Sequence, residues 1–459
     1  MFLKKGTAVT IMSIRNYYEK GKFMSKLKNY LSYLSKGTDN VLLALCTLAS
    51  VFGILTVYSA TKHTMAEGQL LPRDTVVMII AVVLGIVGAL VISLVDYDII
   101  CKLWPLWMVI GLSLMIAVMI FGVAPSARED ARTWLHLGKI YFQPSELVKI
   151  CFITTFAVHL AAVKDEMNNI KVLLSLIVHA LVPAGLVAKS GDAGSALIFL
   201  IIAFGMLFVA GLNWKYILGA IVIVGAAIPL LWYKLSDFQK LRFVVIFNPE
   251  ADPATAYQQR LGLSAISNGG LFGKGFFKGA YTQTGAVPES HNDMVFTVIG
   301  EELGLIGGLV AIGLIIAIIM RIVKVGGKAE APAAAYICYG VATMIGIQAF
   351  VNLAMVLKIG PVIGITLPFF SAGGSSTLCL YIGIGLVLSV YRTTFNQEQE
   401  TNVHLIGVRS PFDERYYNEV VGKKDPAAPL PKFSGMKSQN TEIQDIKNIK
   451  NLFKKKKDK

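Results

Sequence analysis

The chain has 459 residues, 54% hydrophobic and only 16% charged, with a formal net charge of +14. A soluble domain carries about 25% charged residues, so an ordinary soluble globule is excluded and a chain crossing a membrane many times is indicated. The positive balance sits mostly in the tails and short loops, which is the pattern of membrane-helix flanks and not of a nucleic-acid partner.

Residues 1–40 are polar and basic and do not have the form of a cleavable signal peptide. They hold Lys4, Lys5, Arg15, Lys20, Lys22, Lys26, Lys28 and Lys36 against Glu19 and Asp39. Apolar runs of membrane length follow near 41–60, 75–95, 99–122, 144–163, 171–189, 193–211, 214–232, 294–322, 334–357 and 366–391. They predict an all-α polytopic membrane protein of about ten transmembrane helices, with a large extracellular loop, 235–293, between the seventh and eighth. An even number puts both termini on one side. Lys164, Lys171, Lys215, Arg321, Lys324 and Lys328 fall on that side, which the positive-inside rule makes cytoplasmic. The expected organisation is a cytoplasmic basic N-tail (1–40), a membrane domain (41–391) and a cytoplasmic basic C-tail (392–459). In that tail Ile443, Ile446, Ile449 and Leu452 recur among lysines, fitting either a short amphipathic helix or a solvated tail.

The cysteines (Cys46, Cys101, Cys151, Cys338 and Cys379) lie in or beside apolar runs without a CxxC or Cys/His cluster. This spacing supports neither a disulfide framework nor a protein-built metal site. Two segments expected outside, 124–143 and 235–293, carry the unusual chemistry. The longer one includes Tyr257, Phe272, Phe276, Phe277 and Tyr281, too many aromatics for a solvated tether. Its "SNGGLFGKG" is not a nucleotide P-loop, because no Gly-Lys-Ser/Thr follows four spacers. It is either a plain turn or one that presents Lys274 and Lys278 to a phosphate.

In "FQPSELVK", Pro144 suits a first helical turn, and Glu146 and Lys149 are i,i+3 neighbours expected to pair beside a polar cavity. "KSGDAGSAL" places Asp192 in a break between apolar runs. "LKIGPVIGITLPFFSAGGSS" is a longer break, ending in Ser375 and Ser376 at a helix start where phosphate binds readily. His159 and His179 read as helix-contact residues; His136 and His291, in the outward segments, are better site candidates. The outward cations are Arg132, Lys139, Arg242, Lys274 and Lys358, and the best-placed carboxylate is Asp293. Cations with one semi-buried carboxylate suit a substrate bearing a phosphate and a hydroxyl to deprotonate. The bland alternative is that Asp293 caps the helix that follows it.

"IFNPEADP", "AYQQRLGLSAISNGGLFGKG", "VPESHNDMVFTVIGEELG", "FQPSELVK" and "GITLPFFSAGGSS" together resemble motifs of the SEDS family, the RodA, FtsW and SpoVE peptidoglycan glycosyltransferases. The resemblance covers roughly residues 40 to 392, and "GLFGKG" leans toward RodA. It implies a multi-pass protein of the bacterial cytoplasmic membrane that polymerises lipid II, a disaccharide-pentapeptide on undecaprenyl pyrophosphate, outside the cell. It also implies a class B penicillin-binding protein as partner, within an elongasome or divisome. Asp293 in "HNDMVF" matches the family's catalytic Asp. Glu301 and Glu302 match its "GEELG" and receive no chemical step. The residues expected to meet the substrate are Arg132, Glu146, Lys149, Arg242, Lys274, His291, Ser375 and Ser376. A divalent cation, Mg or Mn, could accompany the pyrophosphate. Departures occur at Asn292 (usually Thr), at Ala372 (usually Tyr), around Asp192, and at Arg132, which stands two residues before Trp134 instead of one. The competing readings are a flippase or transporter, which should hold coupling carboxylates near the bilayer midplane, and a scaffold without chemistry.

Overall fold

The computed structural model describes residues 37–66, 68–124, 131–138, 140–167, 169–234, 237–248 and 250–406. The N-tail to residue 36, Lys139 and the C-tail beyond 406, including its isoleucine repeat, lie outside them. The main compact unit runs to Glu398 and a second begins at Gln399.

Every predicted apolar run falls on a helix. These are α1 (Asn40–Thr61), α2 (Arg73–Ile92), the short α3 (Tyr97–Lys102), α4 (Trp104–Phe121), α5 (Pro144–Ala162), α6 (Ile170–Lys189), α7 (Ala193–Val209) and α8 (Trp214–Lys234). After the connecting region come α12 (Val295–Lys328), α13 (Pro332–Val356) and α14 (Gly374–Ile406). Among the described residues, eight of these helices are long and apolar enough to cross a membrane, and α7 is a shorter apolar helix. The protein is a multi-pass helical membrane protein. The run expected at 99–122 divides at Leu103, where Pro105 enters the first turn of α4 without a donor to lose.

The connecting regions are more ordered than the sequence suggested. Residues 124–143 contain an antiparallel hairpin, β1 (Leu135–Leu137) with β2 (Ile140–Phe142), registered by His136 opposite Tyr141. Residues 235–293 fold into α9 (Asp237–Phe247), α10 (Pro253–Gly269) and the one-turn α11 (Ala280–Gln283).

Burial separates an inner column from an outer ring. The apolar windows of α5, α14 and α13 are 72%, 67% and 61% buried, against 17% for α4 and 33% for α2 and α6. Exposed Val83, Val87, Val109 and Ile116 on the outer helices fit a lipid-facing surface. Polar groups tie the first helix to late ones. Ser50 Oγ and Tyr381 Oη lie 2.8 Å apart, joining α1 to α14. The Arg321 guanidinium donates twice to Asp39, at 2.7 and 3.0 Å, joining α12 to the start of α1. Asp39 also accepts from Leu42 N, so one carboxylate caps a helix and pairs a cation.

α12 is broken near its start. Gly304 has φ 68° and ψ −163°, which no side-chain-bearing residue adopts readily. The turn after α10 fills the gap: Lys274 N and Gly275 N donate to the carbonyls of Glu301 and Glu302, and Leu305 N donates to Gly270 O (3.0, 2.9 and 2.9 Å). A Cβ on Gly273 (φ 80°) would collide with Glu302 O. The "SNGGLFGKG" segment is therefore a plug that satisfies the broken helix. The N–H groups of Lys274 and Gly275, which a phosphate loop would aim at its ligand, are already spent.

Candidate active site

The tetrapeptide His291–Asn292–Asp293–Met294 enters α12 through a tight turn. Glu289 sits at φ 56°, and its carbonyl accepts from both Asn292 N and Met294 N (3.0 and 3.1 Å). The break between α13 and α14 wraps this turn. The carbonyl of His291 accepts from Ala372 N at 2.9 Å. That of Asn292 accepts from Ser371 Oγ at 2.6 Å. That of Asp293 accepts from Asn352 Nδ2 at 2.6 Å. Asn352, fully buried in α13, spans both strands of chain, because the same amide also donates to Ile365 O at 2.7 Å. Consecutive carbonyls are thus each held by a different donor, and the backbone carrying Asp293 is fixed.

The carboxylate itself is held differently. Asp293 is 9% exposed and its Oδ1 has no hydrogen-bond partner. Gly364, at φ 76°, faces it; an added Cβ would stand 3.7 Å from Oδ2. Burial pushes the Asp293 carboxyl up to about 7 from its ordinary 3.8, and the nearby Glu289 charge adds to the rise. The backbone amides of residues 293 and 294 and the Arg242 guanidinium of α9 act in the opposite direction. α12 starts with Met294 at the cap position and no side-chain capping bond, so the capping explanation for Asp293 is not realised.

A second polar group closes the start of α14. Ser375 Oγ accepts from Gln143 N (3.3 Å) and donates to Tyr141 O (3.4 Å), joining α14 to the hairpin. Gln143 Nε2 donates to Asp192, whose other oxygen caps α7 through Ser195 N (3.2 and 3.0 Å). Ser376 Oγ lies 2.9 Å from Thr366 Oγ1, on the loop that wraps Asp293. Ser375 and Ser376 are thereby linked to the Asp293 region through one connected backbone.

The other expected residues fall into two groups. Arg242 contributes to the field at Asp293, and His291 Nε2 stands 3.9 Å from Asp74 Oδ2 of α2. Arg132 and Lys274 are exposed. Glu146 and Lys149 do pair, at 2.7 Å, but their side chains are 10% and 1% exposed. The expected pair is therefore formed, and both of its side chains lie within the inner column. Among the described residues no group of three or more His, Cys, Asp or Glu forms a metal cluster.

The sequence reading missed Asn352, Ser371 and Gln259. Gln259 donates to the carbonyls of Met355 and Gly360 at 3.2 and 3.1 Å, pinning α10 to the end of α13. A polar amide inside the apolar run 334–357 was the available signal for Asn352, since such a group is costly in hydrocarbon.

The structure thus holds a fixed backbone turn with a buried carboxyl, one of whose oxygens has no hydrogen-bond partner, just before a membrane-length helix. Residues 39–396 match the FtsW/RodA/SpoVE family model, described as cell cycle protein, and the chain belongs to this family. It is 34% identical over 352 residues to the peptidoglycan glycosyltransferase MrdB of Escherichia coli strain K12, covering 75% of this chain and 92% of the relative. A chain from a solved peptidoglycan synthase complex, described as coordinating polymerization and crosslinking, is 27% identical. It aligns with TM-score 0.66 over 78% of this chain and 98% of its own. The crystal structure of Thermus thermophilus rod shape determining protein RodA is 26% identical, with TM-score 0.57 over the same shares.

Proposed function

We propose that the chain is a peptidoglycan glycosyltransferase that polymerises lipid II into glycan strands at the outer face of the cytoplasmic membrane, with Asp293 as general base. The observation that carries the chemistry is the orphaned, buried Oδ1 of Asp293 on a backbone held at three successive carbonyls. The family relatives named peptidoglycan glycosyltransferase support the reaction class.

In the reaction, an acceptor sugar hydroxyl gives its proton to Asp293 while its oxygen bonds to the anomeric carbon of the donor. The bond from that carbon to the pyrophosphate breaks, and the undecaprenyl pyrophosphate leaves with the electron pair. A carboxyl raised to about 7 is half ionised near neutral pH, where a base is most effective. Arg242 offsets charge on the leaving group, and the free amides at the start of α14 beside Ser375 and Ser376 offer further anion-stabilising dipoles. Arg132 and Lys274 remain as exposed cations that could meet the pyrophosphate or the peptide further out. A Mg or Mn ion accompanying the pyrophosphate would supply neutralisation of its charge, and the described residues offer it no cluster of three or more His, Cys, Asp or Glu.

The basic tails and loops support an orientation with both termini cytoplasmic. The resemblance to a subunit of a synthase complex supports a crosslinking class B penicillin-binding protein as partner, in an elongasome or a divisome. The deciding experiment is polymerisation of labelled lipid II by the purified protein. Asp293→Asn should abolish most product while retaining fold and lipid II binding. Near-normal glycan from folded Asp293→Asn removes the general-base assignment. Arg242→Lys should lose activity as Arg242→Ala does if the guanidinium makes paired contacts with phosphate.

A further inference from the structure

Away from Asp293, a lateral cavity of about 490 Å³ lies between α4, α5 and α6. Its size is that of ordinary small-ligand pockets, roughly 300–1,000 Å³, and its walls are apolar and aromatic with a few polar groups. Trp104, Trp107, Phe152 and Met115 form walls, and Gly111 lines the cavity where α4 packs against Val148 and Cys151 of α5. Trp107 is fixed by donating Nε1–H to Ile100 O at 3.0 Å. The polar part is one hydrogen-bonded row. Ser175 Oγ lies 3.4 Å from His159 Nε2, the Nδ1 atoms of His159 and His179 are 3.0 Å apart, and His179 Nε2 lies 3.1 Å from Thr155 Oγ1. Two neutral imidazoles complete such a row with either proton order, so it adds no obligatory charge to an apolar wall.

The cavity runs along α4 from Trp104 to Met115, beside Val148 to Ala162 of α5 and Ser175 to Pro183 of α6, and Ser175 and His159 lie toward the end where α4 and α6 start and α5 ends. α4 is the least buried of those helices, so an apolar hollow beside it borders hydrocarbon. At its polar end, exposed Lys171 precedes Ser175 by four residues and shares its helix face. A lysine stem lying along an apolar wall carries its ammonium toward the headgroup layer. Lys164, Asp165 and Glu166 in the preceding turn together with Lys171 sum to neutral, so the attraction is a local contact at Lys171 and not a broad basic patch.

We propose that this cavity is a binding site for a membrane phospholipid, with one acyl chain against Trp107, Phe152 and Met115 and the phosphodiester at Lys171 beside Ser175. Chain and headgroup make separable contributions. The proposal does not rest on the glycosyltransferase reading, because the measurement contains no lipid II.

Native mass spectrometry of the full-length protein would titrate dioleoylphosphatidylglycerol and, as a phosphate-free comparison, dioleoylglycerol. The expected result is tighter binding of the phospholipid. Gly111→Leu, which fills the cavity from a position where a Cβ meets only ordinary contacts, should weaken both lipids about tenfold. Val178→Phe, filling it from the lipid-facing side, should do the same and stands in if the first variant misfolds. Lys171→Gln should weaken only the phospholipid. Unchanged binding in the folded filling variants overturns the chain site. Equal binding of the two lipids, or an unaffected Lys171→Gln protein, overturns the phosphodiester assignment.

Discussion

Asp293 and Glu301 are buried carboxylates eight residues apart on the same helix entry, and their surroundings are opposite. Glu301 is 0% exposed and accepts from Asn268 Nδ2, Tyr281 N, Thr282 N and Thr282 Oγ1. Asp293 is nearly as buried, yet one of its oxygens has no donor at all. In the first case every lone pair is used to hold α10 and α11 against the broken start of α12. In the second the backbone takes the bonds and one side-chain oxygen is left without a donor. Saturation by donors suits a carboxylate that builds; a fixed backbone under an unsaturated carboxylate is what the general base proposed at Asp293 requires.

The largest expected effect tests the acting half of this contrast. Asp293→Asn should lower the polymerisation rate about 10²–10⁴-fold, with little change in thermal unfolding. The next tests the building half. Glu301→Ala strands a set of buried donors and should destabilise the protein by about 3–5 kcal/mol, read as a lowered unfolding temperature in detergent. An Asp293→Asn protein that melts early, or a Glu301→Ala protein that melts normally, would break the distinction.

The pH profile sharpens it. Asp293 must be ionised to accept a proton, so the rate should fall about tenfold per pH unit below about 7 and level off above it. Stability runs the other way. A raised carboxyl favours the protonated native state, so Asp293 lowers stability as pH rises from about 4 to about 7 and no further. A smaller effect is expected from Asn352→Ala. Releasing the carbonyls of Asp293 and Ile365 should reduce kcat about tenfold through misplacement of the base, with KM little changed. A purely structural Asn352 would lower stability and leave kcat per folded molecule intact.

Much of the fold was legible because hydrocarbon demands long apolar runs; most became single helices, while 99–122 divides in two and 366–391 becomes helical only from Gly374. Asp293 was legible from its motif and from its place at the head of an apolar segment. The pairing of Glu146 with Lys149 followed from helical spacing, but its closure did not, because burial depends on how α5 lies among α13 and α14. Asn352 was overlooked because its partners are backbone carbonyls 59 and 13 residues away, which have no side-chain signature. Lys274 drew attention as a cation in a glycine turn. The glycines there serve close approach to Glu302, a contact that only the break at Gly304 makes visible.

The pair between Asp39 and Arg321 bears on how the protein is made. Its members are separated by 282 residues, and Asp39 is the residue at the head of α1, the first described helix. At about 5–20 residues per second, synthesis needs roughly 15–55 s to pass from one to the other. Until Arg321 is made, the Asp39 carboxylate is without the cation it meets in the fold. Its position at the helix start keeps the group at the watery boundary until Arg321 arrives. The last turn of assembly at that end is therefore a late docking of α12 onto a helix that has waited through most of translation.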